Sequence, residues 1–471
     1  MKTLIKRLSV ITLWVFLGCA GSAFARQPLL IISIDGLPPR YVDQAEARGL
    51  KIPRLRSFLS GGAFAEGVIG VMPTVTFPSH TTLVTGVSPA VHGIVANTPF
   101  DPLLGNDDGW YWYAQDVRAP TLWEAASKAG LSTAALNWSV TVGDRNIDTL
   151  LPEFWRRSNG EDLKLLRALS RPEGLIASME KALGPYIDGY TDTVESDRIR
   201  TRFAVNVLQE KKPYLMGVHL IALDGTEHRE GPDTPAAYAT LEALDGMIGE
   251  LVDAATAARP DTVIAIVSDH GFFATHTVVN LRAWLVNQGL IKTREEAGKT
   301  QIVDWDVHAW SGGGSAAIFM KDPLDLKLRQ RVRDGLVFAG RRRGQWHCQR
   351  VGREPGWWDR RVSWRDIRRG VRTGILFRCR AGGPCFHLPR RAACTAICQH
   401  IRTCMRCSMQ KARGAGREES GVIDMRQIAP TFAAVLDVAS PSAIEPALTL
   451  SAQSPGSPGR DLSSARNIAR V

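Results

Sequence analysis

Three aspartates each close a short apolar run: Asp35 after Leu-Ile-Ile-Ser-Ile, Asp224 after His-Leu-Ile-Ala-Leu, and Asp269 after Ile-Ala-Ile-Val-Ser. Two have a histidine close by, His228 four residues beyond Asp224 and His270 directly after Asp269. A four-residue spacing puts two side chains on one face of a helical turn. Adjacent residues diverge, so Asp269 and His270 are expected to serve different metals or different sides of one. Mixed carboxylate and imidazole donors favour zinc over magnesium or calcium, which prefer oxygen shells; divalent manganese or iron also suit them. One such aspartate would be an ordinary turn or capping residue. Three, two of them beside histidine, point to a metal centre.

A hydroxyl completes the set. In Met72-Pro-Thr-Val-Thr-Phe-Pro-Ser-His80, Pro78 just inside a helix start puts Thr76 at or near the helix N-terminus. Free amides and the helix dipole favour an anion there. A threonine hydroxyl deprotonated by a metal is a nucleophile; without the metal, Thr76 is only an N-cap.

The elements that must hold these residues alternate. Leu29–Ile34, Leu131–Leu136, Tyr214–Leu223 and Val263–Val267 read as buried strands. Thr121–Ala129, Arg198–Gln209, Pro235–Ala257 and Leu281–Gln288 read as helices, and a helical pattern returns over Met425–Leu436. The expected fold is α/β, a mostly parallel central sheet sandwiched by helices, with the aspartates at the carboxyl ends of its strands. Residues 98–118 and 139–195, richer in Gly, Asp, Pro and aromatics, are expected to form loops or a cap.

Ile-Ser-Ile-Asp35-Gly, Pro-Thr-Val-Thr76-Phe-Pro-Ser-His, His92-Gly-Ile, Asp224-x3-His228-x2-Gly-Pro and Ser-Asp269-His270-Gly resemble the nucleotide pyrophosphatase/phosphodiesterase branch of the alkaline phosphatase superfamily. Gly109-Trp-Tyr-Trp-Tyr and Pro120-Thr-Leu-Trp-Glu-Ala-Ala extend the resemblance, which runs over residues 28–335 and again over Val422–Val438. It implies an alkaline-phosphatase-like fold and two zinc ions. Asp35, Thr76, Asp269 and His270 would hold one, and Asp224, His228 and a further, more C-terminal histidine the other. Thr76 would attack phosphorus in line, giving a phospho-threonine intermediate that water then hydrolyses. Phe77 would form an aromatic wall of a nucleobase slot. Ser79 stands where the family usually has an Asn that donates to a phosphate oxygen, and a hydroxyl donates only one hydrogen bond.

The further histidine belongs to a His-Gly-Tyr-type segment expected between residues 340 and 420, where no such motif occurs. Residues 341–417 instead carry twenty Lys and Arg against three acids, together with seven of the eight cysteines. The formal net charge of +11 therefore belongs to this stretch and the N-terminus, and the remainder is net acidic. Arg, Trp and Cys codons are rich in G and C, the composition of a GC-rich gene read out of frame. Residues Cys394 to Met405 can be encoded by nucleotides that, read from the third base, give His-Gly-Tyr-Leu-Pro-Ala-Tyr-Pro-Asp-Met-His. A frameshift near residue 337, restored before Val422, is the expectation.

Lys2, Lys6 and Arg7 precede an apolar run, Leu8–Leu17, and Ala23-Phe24-Ala25 follows, the pattern of a secretory signal. The run falls short of the roughly 20 apolar residues of a membrane span. The expected organisation is a signal over 1–25, a catalytic domain over 26–340, the anomalous stretch 341–420, the last catalytic part 421–438, and a disordered tail 439–471. The expected protein is an exported, periplasmic or secreted zinc-dependent hydrolase of phosphodiesters or nucleotide pyrophosphates. Its partner is a small-molecule phosphate ester or nucleotide, with no nucleic acid and no membrane contact after signal cleavage. The alternatives are a phosphomonoester or phosphonate hydrolase of the same superfamily, or an inactive remnant lacking the third zinc histidine.

Overall fold

The computed structural model describes residues 26–105, 109–156, 161–275, 278–343, 376–378, 392–395, 408–410, 418–440, 442 and 445–448. The signal, most of the anomalous stretch and most of the tail lie outside them.

The described strands are β1 (Leu29–Ile34), β2 (Ala63–Ile69), β3 (Thr133–Leu136), β4 (Thr149–Leu151), β5 (Leu215–Leu220), β6 (Val263–Val267), β7 (Phe272–Thr275), β8 (Ile291–Glu296), β9 (Lys299–Trp305), β10 (Val307–Gly312), β11 (Ser315–Met320), β12 (Leu376–Arg378), β13 (Ala392–Thr395), β14 (Ser408–Gln410) and β15 (Glu418–Asp424). Eight form the central sheet in the order β15-β2-β14-β6-β1-β5-β3-β4. Its pairs are parallel apart from those of β14, which runs antiparallel to β2 and β6. The α/β architecture expected from the alternating pattern is the one observed, with helices on both faces and loop insertions.

Strand β1 shows why. Leu30, Ile32 and Ile34 enter one core, which includes Leu241 and Leu244 of the Pro235–Ala258 helix. Leu29 and Ile31 enter the opposite core with Leu83 and Val84 of the Thr76–Thr85 helix and Phe432 of the Ile428–Val435 helix. Period-2 alternation with both faces apolar is the signature of a covered parallel strand. Gly217 in β5 is a packing requirement: a Cβ there would lie 2.8 Å from both Trp123 and Trp138.

Strands β1 and β6 have the bounds read from sequence, and β3 begins two residues later than expected. The predicted helices appear as Leu122–Lys128, Val194–Lys211, Pro235–Ala258 and Leu281–Asn287, with Thr121, Thr193, Thr234 and Asn280 as their N-caps. One strand is corrected. The apolar run Tyr214–Leu223 pairs as a strand only from Leu215 to Leu220, and a helix begins at Ala222. The buried Asp197 carboxylate accepts the Ala222 amide at 2.8 Å and so caps that helix. A short buried apolar run reads alike in either state. The 139–195 region is also more ordered than expected, containing β4 and the helices Asp162–Leu169 and Leu175–Leu183. The smaller sheets, β8 with β9 and β10 with β11 and β12, pack their own apolar cluster around Trp305, Leu285 and Ile318.

Candidate active site

Asp35 follows β1 directly, and Asp269 stands two residues beyond β6, so both emerge at the carboxyl edge of neighbouring strands. Asp224 lies in the first turn of the Ala222–Glu230 helix, not at a strand end as expected. His228, one turn on, brings Nε2 to 3.4 Å from Asp224 Oδ2, as the four-residue spacing predicts. Asp269 and His270 do not diverge as neighbours in an extended strand would. The chain turns there: Asp269 Oδ1 accepts the amides of Gly36 (3.2 Å) and of His270 itself (2.9 Å), and Ser268 Oγ donates to the His270 carbonyl. Both side chains therefore point to the same spot.

His270 Nε2 is the hub of that spot. It lies 3.3 Å from Asp35 Oδ1, 3.1 Å from Asp269 Oδ2 and 3.4 Å from Thr76 Oγ1. Donors around a tetrahedral zinc with bonds near 2.0–2.1 Å stand about 3.3–3.4 Å apart. Asp35, Asp224 and His270 also form a buried group whose donor atoms lie within 4.8 Å of one another. Asp35 and Asp269 each have one oxygen held elsewhere and one that makes no hydrogen bond and faces the His270 imidazole: Asp35 Oδ2 meets His219 Nε2 while Oδ1 faces His270, and Asp269 Oδ1 takes the two amides while Oδ2 faces His270. Asp224 Oδ1 makes no hydrogen bond either. Three buried carboxylate oxygens without a hydrogen bond are costly without a counter-charge, which a divalent metal would supply. The donor set fits a metal.

The charges show the same strain. Burial, then the nearby Asp224 and Asp269 carboxylates, hold the Asp35 carboxyl well above the usual range. Burial pushes Asp224 up to about 7, with His270 opposing the rise. Burial also lowers His80 and His219, the latter further lowered by His80.

Thr76 is the first residue of the Thr76–Thr85 helix, after an extended Val75, and is partly exposed. Phe77 is fully buried, with its ring edge-on to Trp110 (5.1 Å) and Trp112 (5.8 Å). The aromatic cluster continues outward through Trp155 to the exposed Tyr190, 4.6 Å from Trp155. Ser79 is fully buried inside the helix, its Oγ without a partner. Asn97, which the sequence reading passed over, accepts the Phe77 amide through Oδ1 at 3.0 Å and so sits at the start of the Thr76 helix. It lies only three residues past the His92-Gly-Ile motif, so a longer reading of that motif reaches it. His92 itself is buried and contacts Thr82 Oγ1 at 3.0 Å, fastening this loop to the helix. His308, an alternative donor by composition, is buried among Phe100 and Trp305 on another sheet, and His400 lies outside the described residues.

The sequence profile of the type I phosphodiesterase / nucleotide pyrophosphatase family matches residues 29–332. The chain belongs to this family. It is 22% identical over 262 residues to human ectonucleotide pyrophosphatase/phosphodiesterase family member 1, covering 53% of this chain and 24% of that protein. It is 26% identical over 281 residues to a pyrophosphatase/phosphodiesterase of Schizosaccharomyces pombe, covering 57% and 49% respectively. The match thus spans from about a quarter to a half of these relatives' length. Murine ectonucleotide pyrophosphatase / phosphodiesterase 5, solved with AMP, superposes with a TM-score of 0.58 at 17% identity, covering 88% of this chain and 96% of that one. At that identity the likeness is one of fold. The family model and the superposed structure thus agree on the fold. No helix of the described residues is long and apolar enough to cross a membrane.

Proposed function

We propose that this chain is an exported, metal-dependent hydrolase of phosphodiesters and nucleotide pyrophosphates, with Thr76 as its nucleophile. The observation that carries the reading is the meeting of Thr76 Oγ1, His270 Nε2 and the Asp35 and Asp269 oxygens that make no hydrogen bond, at 3.1–3.4 Å from the imidazole hub. Asp35, Thr76, Asp269 and His270 would hold one zinc, and Asp224 with His228 would contribute to a second. Bound zinc supplies positive charge that lowers the pKa of a hydroxyl and neutralises a phosphoryl group.

The chain's own residues do the rest. Thr76 presents Oγ1 at a helix N-terminus, where amides and dipole favour an anionic phosphate. The Asn97 side chain, seated on the Phe77 amide, is close enough to the helix start to orient a phosphate oxygen. It takes over the role that the family resemblance suggests for position 79, since Ser79 is enclosed. Thr76 Oγ1 forms a bond to phosphorus as the alcohol or nucleotide leaving group departs. The other ester group stays on phosphorus; water then cleaves the threonine–phosphorus ester bond, restores the hydroxyl and releases a phosphomonoester. With Phe77 buried, the Trp155–Tyr190 edge is the aromatic surface a base could meet.

The catalytic unit is taken as residues 26–340 completed by 421–438. Burial of Ile423 and Phe432 supports the last part, while β14 and the first residues of β15 join the central sheet from within 341–420. Resequencing the gene across codons 337–422 tests the frameshift expected between them, and an uninterrupted frame would remove it. For the function, zinc-loaded protein should hydrolyse bis(p-nitrophenyl) phosphate faster than p-nitrophenyl phosphate. Thr76→Ala should lower the diester rate by about a thousandfold or more. A Thr76→Ala protein that keeps wild-type turnover, or a wild type with a monoester preference, overturns the corresponding part of the reading.

A further inference from the structure

Beneath the metal-ligand cluster lies a second, fully enclosed layer of imidazoles. Ser33 of β1 and His219 of β5 are register partners, and Asp35 follows Ser33 by two residues on the same face of the sheet. His219 is completely buried. Its Nδ1 lies 3.0 Å from the Asn137 carbonyl, which can only accept, so Nδ1 carries a proton. The Asn137 amide returns a bond to the His219 carbonyl at 3.2 Å. The ring is thus held through Nδ1 and the backbone of His219 through its carbonyl; Nε2 lies 3.2 Å from Asp35 Oδ2, and because Nδ1 already carries the ring's proton, one further proton, shared between Nε2 and Oδ2, makes this bond.

His80 supports the arrangement from the helix side. Its Nδ1 donates to the Thr76 carbonyl (3.0 Å) and its Nε2 accepts from Ser33 Oγ (2.9 Å). Its ring lies 4.1 Å from that of His219 and edge-on to Trp138 at 5.1 Å. Neither imidazole reaches solvent or a position where substrate could enter.

We propose that His219 is a positioning residue: by occupying Asp35 Oδ2 it leaves Oδ1 alone to face the cation, fixing Asp35 as a one-oxygen ligand aligned with Thr76 and His270. Partners that orient a ligand in this way commonly set metal affinity by about 10- to 100-fold. The proposal rests on Asp35 being a metal ligand, as argued above.

Two substitutions separate positioning from simple packing. His219→Gln can still reach Asp35 through its longer amide, whereas His219→Asn keeps the polar contact toward Asn137 and falls short of Asp35. Zinc affinity of the full chain, measured by chelator competition, should fall about 10- to 100-fold in His219→Asn and recover most of the loss in His219→Gln. The visible spectrum of cobalt-substituted His219→Asn should shift while that of His219→Gln stays near wild type. Unchanged affinity in His219→Asn, or equal losses in both variants, overturns the proposal. Should both variants fail to fold, Asn137→Gly, which removes only the amide bond to the His219 carbonyl, provides the test: weakened zinc binding supports positioning and wild-type affinity overturns it. A wild-type protein that binds no zinc overturns the metal-site reading and this inference together.

Discussion

The two halves of the proposed ligand cluster are built differently. Asp35, Asp269 and His270 leave adjacent parallel strands, are almost wholly enclosed, and are tied by backbone amides and by His219. Asp224 and His228 ride on a short helix, and the His228 side chain is 47% exposed, resting edge-on against Phe272. The inner half inherits its geometry from the ends of two paired, buried strands. The outer half inherits its geometry from one helix cap, the Asp197 carboxylate on the Ala222 amide, backed by the buried Asp197–Arg200 pair at 2.7 Å. A sheet-built site tolerates little and a helix-borne one can adjust. The inner half should therefore bind metal first and govern chemistry.

That contrast can be broken at its strongest point by Asp269→Ala. Diester turnover should fall by about a thousandfold or more and the tighter-binding zinc should be lost. Retention of that zinc would place it elsewhere. Next in size is Asp197→Ala, which leaves Arg200 buried and unpaired. A cost of about 3–5 kcal/mol in urea unfolding is expected, with the outer metal weakened and the inner one kept; equal loss of both would erase the distinction between the halves.

His228→Ala should lower zinc content at the outer half while changing metal-free stability by only about 0.5 kcal/mol, because the ring is half exposed. The smallest and most diffuse effect is on pH. Asp35 and Asp224 have raised carboxyl pKa values in the folded, metal-free protein. The folded state then binds more protons than the unfolded chain, so stability is present below about pH 4 and declines as pH rises toward the Asp224 value of about 7. Zinc binding displaces those protons and strengthens as pH rises. Calorimetry in chelator should show Tm falling between about pH 5 and pH 7, with a widening gap to the zinc-loaded protein. A flat chelator profile would mean that burial does not raise these carboxyls.

The strand–helix alternation and the three aspartates were readable because burial leaves a strong pattern: β6 is an unbroken apolar run and β1 is broken only by Ser33, and each is soon followed by an aspartate. The strand-to-helix change at Ile221–Ala222 was not readable, since its cause is Asp197, 25 residues away in sequence. Neither was β2, whose Ala63–Ile69 run mixes glutamate and glycine with apolar residues and is buried by what packs on it. In the site, His228 followed from helical spacing, but the convergence of Asp269 with His270 depends on a turn closed by the distant Gly36 amide. Asn97 and His219 escaped notice for the same reason: each matters through a partner brought near only by the fold. Phe77 was legible as an aromatic beside the nucleophile, and only the packing of Trp110 and Trp112 shows it enclosed.

The central claim is that the partly exposed hydroxyl of Thr76, held against His270 and two buried carboxylates, takes the phosphoryl group. Acid-quenching zinc-loaded protein during turnover of bis(p-nitrophenyl) phosphate, followed by peptide mass mapping, tests it directly. One p-nitrophenyl phosphoryl group, still carrying its second ester, on the peptide bearing Thr76 and absent in Thr76→Ala, is the predicted result. Phosphoryl on another residue, or continued turnover by Thr76→Ala, would contradict it.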